Sequence, residues 1–401
     1  MTRPFDQRRI LLGVTGGIAA YKSAWIARLL TQAGAAVDVV LTRSAAEFIG
    51  AITFEALTGR PVHTALIAEG HALEHIKLAR AAHAIVVAPA TADFIARAAS
   101  GNADELLTAS LLAAAAPVLI VPAMNDRMWA HAQTQANIAR LREIGYRILE
   151  PDAGPLAVGE GSGPGRLPEP ETVVAHVGRL LEAPGSLRGK RVVVTAGPTR
   201  EPVDPVRFLS NRSSGKMGVA LAAAAWRRGA DVQLVAGPLA VAPPSGPSVT
   251  FVETTEQMRD AVERTIAGAD ALIMAAAPAD FRPASPASQK IKKSNAPPAI
   301  MLESTPDILT STIAARSETL VTVGFALETN SPLEHGRGKL VSKQLDLIVV
   351  NDATEPGAGF SVDTNRVTFI DRDGNADAQP LLGKGEVADL ILDRLERLIS
   401  R

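Results

Sequence analysis

The chain alternates short runs of β-branched and aliphatic residues with longer, alanine-rich stretches of helical spacing. In the first half, Arg9–Val14, Val37–Thr42, Ala84–Ala88 and Val118–Val121 are nearly continuous apolar runs bounded by Gly, Pro or hydroxyl residues. Such runs predict parallel strands buried on both faces. Between them, Ala19–Ala33, Ala45–Leu57 and Ala92–Ala116 carry the helical period. From Arg191 the alternation begins again, with strands expected at Arg191–Ala196, Val232–Ala236, Ala271–Ala275, Leu320–Phe325 and Leu347–Val350. Strands separated by helices in this way predict doubly wound sheets.

The fold class expected is therefore α/β, with two doubly wound, Rossmann-like domains. From Pro151 to Lys190 the pattern lapses: Asp152-Ala153-Gly154-Pro155 and Gly159 to Gly165 are too rich in Gly and Pro for regular structure. A short helix over Glu171–Leu181 follows, then Ala183-Pro184-Gly185-Ser186 reads as a linker. A boundary near Lys190 gives domains of 1–190 and 191–401. The halves echo each other, Val14-Thr15-Gly16-Gly17 against Val194-Thr195-Ala196-Gly197. From that glycine to the next strand's leading glycine, Gly17 to Gly34 is 17 residues, but Gly197 to Gly229 is 32. The surplus is Pro198–Arg212, inserted at the carboxyl end of a first strand, where such sheets bind ligands.

Composition narrows the function. Of 401 residues, 47% are hydrophobic but only 4% aromatic, which suits small residues packed closely on sheets. With 41 basic against 42 acidic residues the net charge is -1. A nucleic-acid or anionic-membrane binder would need a dominant positive field, so neither partner is expected. There is no cysteine, which excludes disulfides, thiolate metal sites and cysteine nucleophiles. Arg3, Arg8 and Arg9 before Ile10-Leu11-Leu12 look like the start of a signal peptide, but Gly16-Gly17 and Tyr21-Lys22 interrupt it. Leu111–Met124 holds two prolines and is shorter than the ~18–20 residues a membrane helix needs. A cytoplasmic protein is expected.

Chemistry in the first half gathers at strand ends. Gly13 to Ala20 leaves a strand and opens a helix, where glycines let a phosphate approach unpaired N–H groups. The turn lacks the G-x-G-x-x-G spacing, and the second strand ends in Leu41-Thr42-Arg43-Ser44 instead of an acid. That favours a terminal phosphate, as in FMN, over a ribose diol. Thr91 and Asn125 end two further strands and can hydrogen-bond a ligand, with Met124 as a soft surface for a flat ring. His71 and His75 have the spacing of a metal pair, without a third ligand pattern.

Gly-Gly-Ile-Ala-Ala-Tyr-Lys at 16–22, Ala-Pro-Ala-Thr-Ala-Asp at 88–93, Pro-Ala-Met-Asn at 122–125 and Gly-Pro-Gly-Arg at 163–166 resemble the FMN-dependent phosphopantothenoylcysteine decarboxylases. The resemblance implies FMN held by Gly16, Gly17, Thr42, Ser44 and Thr91. It implies His75 and Asn125 as catalytic residues, and a trimer with the flavin site between subunits. The family's glycine-rich flap carries a proton-donating cysteine, and this chain has Val158 at that place, with one extra residue before the Gly-Pro-Gly-Arg run. Valine has no proton to give. Glu160 and water are the candidate replacement donors.

In the second half lysine is the unusual residue. Of ten lysines, Lys216, Lys290, Lys292, Lys293, Lys339 and Lys343 fall between 216 and 343. In a chain that otherwise uses Arg, this suggests compact charges for phosphates. Ser213-Ser214-Gly215-Lys216 is no P-loop, because Ser210 and Met217 stand where Gly and Ser or Thr are required. The runs Thr195–Pro202, Asp204–Arg207, Ser210–Gly218, Lys290–Lys293, Pro306–Ile308, Gly324–Thr329 and Asn351-Asp352 resemble the phosphopantothenate–cysteine ligase domain. By that resemblance CTP would be held by Met274, Ala275, Ala276, Asp280, Lys290, Pro306, Asp307, Ile308, Leu309, Phe325, Lys339 and Lys343. Lys290 would assist acyl-cytidylate formation, Asn211 would hydrogen-bond that intermediate, and Asp280 would hold Mg²⁺. The two resemblances cover nearly the whole chain. They imply ligation of cysteine to 4′-phosphopantothenate with CTP, then decarboxylation to 4′-phosphopantetheine, in a homo-oligomer trimeric through the flavin domain and dimeric through the ligase domain. Two alternatives stand beside this: a ligase whose flavin half is impaired or only a scaffold because of Val158, and a nicotinamide-dependent oxidoreductase.

Overall fold

The computed structural model describes residues 4–67, 73–157, 159, 161–182, 185–292, 299–328, 330–352, 359 and 362–400. They form two compact units, Met1–Ala183 and Pro184–Arg401. His71, Val158, Glu160 and Lys293 lie outside the described residues.

In the first unit, strands β1 (Arg9–Val14), β2 (Ala36–Leu41), β3 (Val62–His63), β4 (Ala84–Ala90), β5 (Val118–Pro122) and β6 (Arg147–Ile148) form one sheet. Its order is β3-β2-β1-β4-β5-β6 and every pairing is parallel. Successive side chains of a strand face opposite sides. Ile10, Leu12 and Val14 accordingly enter one core, with Ile26 and Leu30 of helix α1 (Ala20–Gln32), while Leu11 enters the other, with Phe94 and Leu107. Helices α2 (Arg43–Ala46), α3 (Ala51–Thr58), α4 (Glu74–Ala81), α5 (Ala92–Ser100), α6 (Leu106–Leu112), α7 (Asp126–Ala130), α8 (Ala132–Glu143) and α9 (Pro170–Leu181) complete the unit.

Two helices expected as single are each divided. Gly50 adopts an extended conformation and starts α3, separating it from α2. Gly101, at φ 74°, ends α5 in the left-handed region, five residues before α6 begins. The segment expected to lack regular structure also differs. Strands β7 (Asp152–Pro155) and β8 (Ser162–Arg166) pair antiparallel, and the glycines supply the irregular turns of this hairpin instead of preventing it.

The second unit has strands β9 (Arg191–Ala196), β10 (Arg200–Pro202), β11 (Phe208–Ser210), β12 (Asp231–Ala236), β13 (Ser248–Phe251), β14 (Ala271–Met274), β15 (Phe281–Pro283), β16 (Leu302–Ser304), β17 (Val321–Glu328), β18 (Leu347–Asp352), β19 (Thr364–Asn365), β20 (Thr368–Asp371), β21 (Ala376–Ala378) and β22 (Leu382–Gly383). The main sheet runs β13-β12-β9-β14-β17-β18-β20-β21, parallel as far as β18 and antiparallel beyond it. Its first six strands repeat the connectivity of the first unit. The insertion after β9 is a hairpin, β10–β11, and a second hairpin, β15–β16, follows β14.

Helices α10 (Lys216–Arg227), α11 (Thr255–Thr265), α12 (Ile308–Ser311), α13 (Pro332–Ser342) and α14 (Lys384–Ile399) cover the sheet. Arg228, after α10, reaches Asp389, Asp393 and Glu396 of α14 at 3.0, 2.7 and 3.0 Å. Burial opposes its charge, but these carboxylates outweigh it and raise its pKa. The chain entering this unit is fastened to the same corner: Leu187 is fully buried and its N–H donates to the Arg228 carbonyl at 3.0 Å.

Gly218 lets α10 lie directly on β9. A Cβ there would come within 2.6 Å of the Thr195 carbonyl oxygen and 2.5 Å of the Ala196 Cβ. Gly218→Ala should therefore cost about 1–3 kcal/mol through overpacking. For a unit of this size that lowers its melting temperature by roughly 2–4 °C per kcal/mol. An unchanged thermal unfolding curve would show slack between α10 and β9.

Candidate functional sites

In the first unit the strand order reverses between β1 and β4, the place where such sheets open a crevice. Thr15, buried just after β1, donates its hydroxyl to the Pro89 carbonyl at 2.9 Å and accepts from the Thr91 N–H at 3.0 Å. The glycine turn is thereby tied to the end of β4. Gly16 must be glycine, because a Cβ would lie 2.3 Å from the Ser44 Cβ. Thr42, Thr91 and Asn125 cap α2, α5 and α7, accepting from Ala45, Phe94 and Arg127 N–H groups at 3.2, 3.3 and 2.9 Å.

A cavity of about 410 Å³ opens on this edge, lined by Gly16, Gly17, Tyr21, Lys22, Thr91, Met124, Asn125, Met128, Leu156 and Arg166 among others. Of the residues expected to hold the flavin, Gly16, Gly17 and Thr91 line it. Thr42 and Ser44 do not, although Ser44 abuts Gly16. His75 is also absent from this wall. It sits on α4, and its Nδ1 is buried without a hydrogen-bond partner among the described residues.

The hairpin β7–β8 closes one side of the cavity and is anchored twice. The Gly165 carbonyl accepts from the Met124 N–H at 3.0 Å, and at φ 139° a Cβ on Gly165 would fall 2.1 Å from the Met124 carbonyl oxygen. Lys22, only 8% exposed, donates to the Leu167 carbonyl at 3.0 Å and to Glu169 at 3.1 Å, and Arg166 reaches the same carboxylate oxygen. Lys22 and Arg166 entered the sequence reading only within longer motifs. A lysine on an otherwise apolar helix face was the signal available for the first.

The second unit uses the same stitch. Buried Thr195 accepts from the Ala276 N–H at 3.0 Å, and Thr199 accepts from the Ala279 N–H at 2.9 Å. Asn211, after β11, donates to the Ala277 and Pro278 carbonyls at 3.2 and 2.8 Å. The inserted hairpin is thus fixed over the segment after β14 that contains Ala275, Ala276 and Asp280. Lys290 is exposed, but its neighbour is held: Ile291 N–H donates to Asp204 at 3.1 Å, and Arg207 donates to the Ile291 carbonyl at 3.1 Å. Burial alone would raise the Asp204 carboxyl, but N–H groups of Val206, Ile291 and Arg207 outweigh it and keep it below the usual carboxylate range.

The other expected nucleotide contacts are distributed along the same edge. Pro306 and Asp307 precede α12, and Asp307 pairs with Lys343 at 2.8 Å. Lys339 pairs with Glu328 at 2.6 Å. Met274, Ile308 and Leu309 have their side chains in the core, so only their backbone is placed to meet a ligand. Asp280 is an exposed, single carboxylate, and no group of three or more His, Asp or Glu able to hold a metal occurs among the described residues. A small cavity of about 70 Å³ contains Ala275 and Phe325 together with Ser213, Lys216, Asn351 and Lys384. The last was missed, although lysine scarcity could have marked it.

Two family patterns match the chain: Flavoprotein over residues 2–182, and the DNA/pantothenate metabolism flavoprotein C-terminal domain over residues 187–398. The chain is 46% identical over 409 aligned positions to the coenzyme A biosynthesis bifunctional protein CoaBC of Mycolicibacterium smegmatis, covering 98% of each. With the protein of that name from Vibrio cholerae it is 44% identical, covering 96% of this chain and 97% of the other. A solved C-terminal domain of such a bifunctional protein is similar at 39% identity, with 54% of this chain and 98% of that one covered and a TM-score of 0.47. The fold, the two family patterns and the full-length relatives define a flavoprotein enzyme of two Rossmann-like domains. The chain belongs to the family of coenzyme A biosynthesis bifunctional proteins. No helix among the described residues is long and apolar enough to cross a membrane.

The Asp204 anchor has a pH signature. Because its carboxyl is held below the ordinary value, the stabilisation is complete at neutral pH and is lost as pH falls through the folded-state value. In wild type, amide exchange at Ile291 should stay protected until that acidic range. In Asp204→Ala it should be roughly tenfold faster or more at neutral pH, the scale of a hydrogen bond to a charged group. Equal exchange rates in the two proteins would remove Asp204 as the anchor of the Lys290 segment.

Proposed function

We propose that the second unit joins cysteine to 4′-phosphopantothenate with CTP, through an acyl-cytidylate, and that the first unit, with FMN, decarboxylates the product to 4′-phosphopantetheine. The observation that carries this reading is the pairing, in one chain, of a ring-sized, largely apolar cavity at one switch point with a lysine-bearing edge at the other. A nicotinamide enzyme has less support, since β2 ends without the acid that binds a ribose diol.

Joining a carboxylate to an amine in water requires a leaving group on the carboxyl. Lys290, exposed on a segment tied down by Asp204, is the cation for charge developing as pyrophosphate departs. Asn211 donates both Nδ2 hydrogens to two carbonyls beside Ala276, which leaves its Oδ1 to accept a hydrogen bond from the acyl-cytidylate. Lys339 and Lys343 are held by Glu328 and Asp307, ready to exchange a carboxylate for phosphate. Asp280 supplies one ligand for Mg²⁺, and phosphate oxygens and water would complete the shell.

In the first unit the cavity suits FMN on three counts. Its volume is that of a cofactor pocket, its walls are mainly apolar, and Gly16 and Gly17 lead into a helix start with no side-chain cap. When bound, the flavin supplies a two-electron acceptor and donor. Asn125 and Arg166 are the polar groups that orient substrate against Met124. His75 reaches the reaction from a neighbouring copy in a trimer: its Nδ1 lacks a partner, and Ile18, Tyr21 and Met128 near the cavity are 68, 62 and 49% exposed. Phe281, Met301 and Leu302 on or beside the β15–β16 hairpin, at 54, 75 and 49% exposure, support a dimer through the second unit.

Lys290→Gln should abolish CTP-dependent pyrophosphate release while flavin absorbance is retained. Asn125→Ala should impair decarboxylation and spare ligation. Normal pyrophosphate release in the first variant, or joint loss of both activities in the second, would remove the respective assignment. A separate outcome concerns Val158, where the family carries its proton donor. Val158→Cys should speed formation of phosphopantetheine from phosphopantothenoylcysteine in anaerobic single turnover. Identical rates for wild type and variant would mean that the missing thiol does not limit the reaction.

A further inference from the structure

Converting phosphopantothenoylcysteine to phosphopantetheine exchanges a bond to the carboxyl carbon for a C–H bond at one carbon. The bonding pair stays on that carbon when carbon dioxide leaves, so one proton must be delivered there in each turnover. The two electrons lent to the flavin are returned and do not enter the balance. This chain has no cysteine to carry the proton, and Glu160 lies outside the described residues.

Among the described residues lining the first unit's cavity there is no carboxyl group and no imidazole. Five side chains there carry hydrogen on nitrogen or oxygen: Tyr21, Lys22, Thr91, Asn125 and Arg166. A guanidinium does not give up a proton in a protein, and an alkyl hydroxyl or an amide is far too weak an acid. That sets aside Arg166, Thr91 and Asn125. The buried Lys22 ammonium is committed to the Leu167 carbonyl and to Glu169. Tyr21 is left. Its hydroxyl has no partner among the described residues, so nothing in its own chain holds it back from a ligand. Ala157, which precedes position 158, lines the same cavity, so the phenol shares its space with the neighbour of the position where the family carries a thiol. Tyr21 is also the second residue of α1, whose start has no side-chain cap and no acid in its first turn. The positive end of the helix therefore favours negative charge developing on that turn.

We propose that Tyr21 is a catalytic residue of the first unit, the acid that protonates the carbon freed of carbon dioxide. This rests on the decarboxylase reading of that unit. The carbon bonds the phenolic hydrogen with the electron pair that carbon dioxide left behind. The O–H bond breaks with its own pair on oxygen, and the tyrosinate regains a proton from water as product leaves. A phenol is an ordinarily weaker acid than a thiol, which leaves room for Val158→Cys to speed the same step.

The test uses full-length, FMN-loaded wild type, Tyr21→Phe, and Tyr21→Phe combined with Val158→Cys. Each is mixed with phosphopantothenoylcysteine in an anaerobic single turnover, and carbon dioxide, flavin absorbance and the mass of the organic product are followed together. Calorimetry gives the Kd of phosphopantetheine, which does not react. Phe removes only an unpaired hydroxyl, so thermal unfolding and flavin content should match wild type. In Tyr21→Phe, carbon dioxide should appear at the wild-type rate while phosphopantetheine forms about a hundredfold more slowly, the scale of one general acid. An ene-thiol two hydrogens lighter should accumulate with the flavin still reduced, and the Kd should not change. The added thiol of the double variant should restore most of the lost rate. Phosphopantetheine formed as fast by Tyr21→Phe as by wild type would leave the proton to water and overturn the proposal. So would a parallel loss of carbon dioxide release, a weakened Kd that accounts for the defect, or failure of the thiol to rescue it. If FMN-loaded wild type releases no carbon dioxide from phosphopantothenoylcysteine, the decarboxylase reading fails and the role of Tyr21 falls with it.

Discussion

In each unit a buried threonine hydroxyl lies across the switch point of the sheet. Thr15 joins the end of β1 to Pro89 in β4 and Thr91 just after it, and Thr195 joins the end of β9 to Ala276 after β14. A buried N–H left without such an acceptor costs about 1–3 kcal/mol, so the two loops are held together more tightly than their sequences alone require. The glycine turns that follow, Gly16-Gly17 and Gly197, are aimed by this contact. The cavity of the first unit and the Asn211 contacts of the second both form around loops it positions. Loss of the hydroxyl would leave the strands in place and blur everything at their carboxyl ends.

The repeat of Val-Thr-x-Gly was visible in the sequence, and so was the shared order of strands, because both follow from local periodicity. Other features depended on single residues whose effect is not periodic. Gly50 and Gly101 interrupt helices that composition would run through. The β7–β8 hairpin forms from a stretch whose glycines suggest no structure, since Gly165 permits the close approach to Met124 that fixes it. The site was legible where motifs sit at strand ends, as with Gly16, Thr91, Asn125 and Asn211. It was not legible where a residue arrives by tertiary packing, as Lys384 does, or where a side chain such as His75 stands away from the cavity of its own unit.

The two edges share connectivity and differ in what they offer. In the first unit, small residues leave room for a flat ring, and charge is confined to Lys22 and Arg166, which share the Glu169 carboxylate. In the second, the inserted β10–β11 hairpin and the buried Asp204 bring a lysine-bearing segment to the edge. One sheet plan thus serves two chemistries because its loops, and not its strands, carry the difference.

The fastening between α10 and α14 shows how such an edge stays in tune. Both helices start at the small cavity, while Arg228 beyond the far end of α10 grips Asp389, Asp393 and Glu396. The helices therefore run side by side in the same direction, an arrangement in which their dipoles repel. The ionic clasp lies about 18 Å away from Lys216, one helix length along α10. It works as the fixed pin of a caliper: the spacing of the two lysine tips is gauged at the handle.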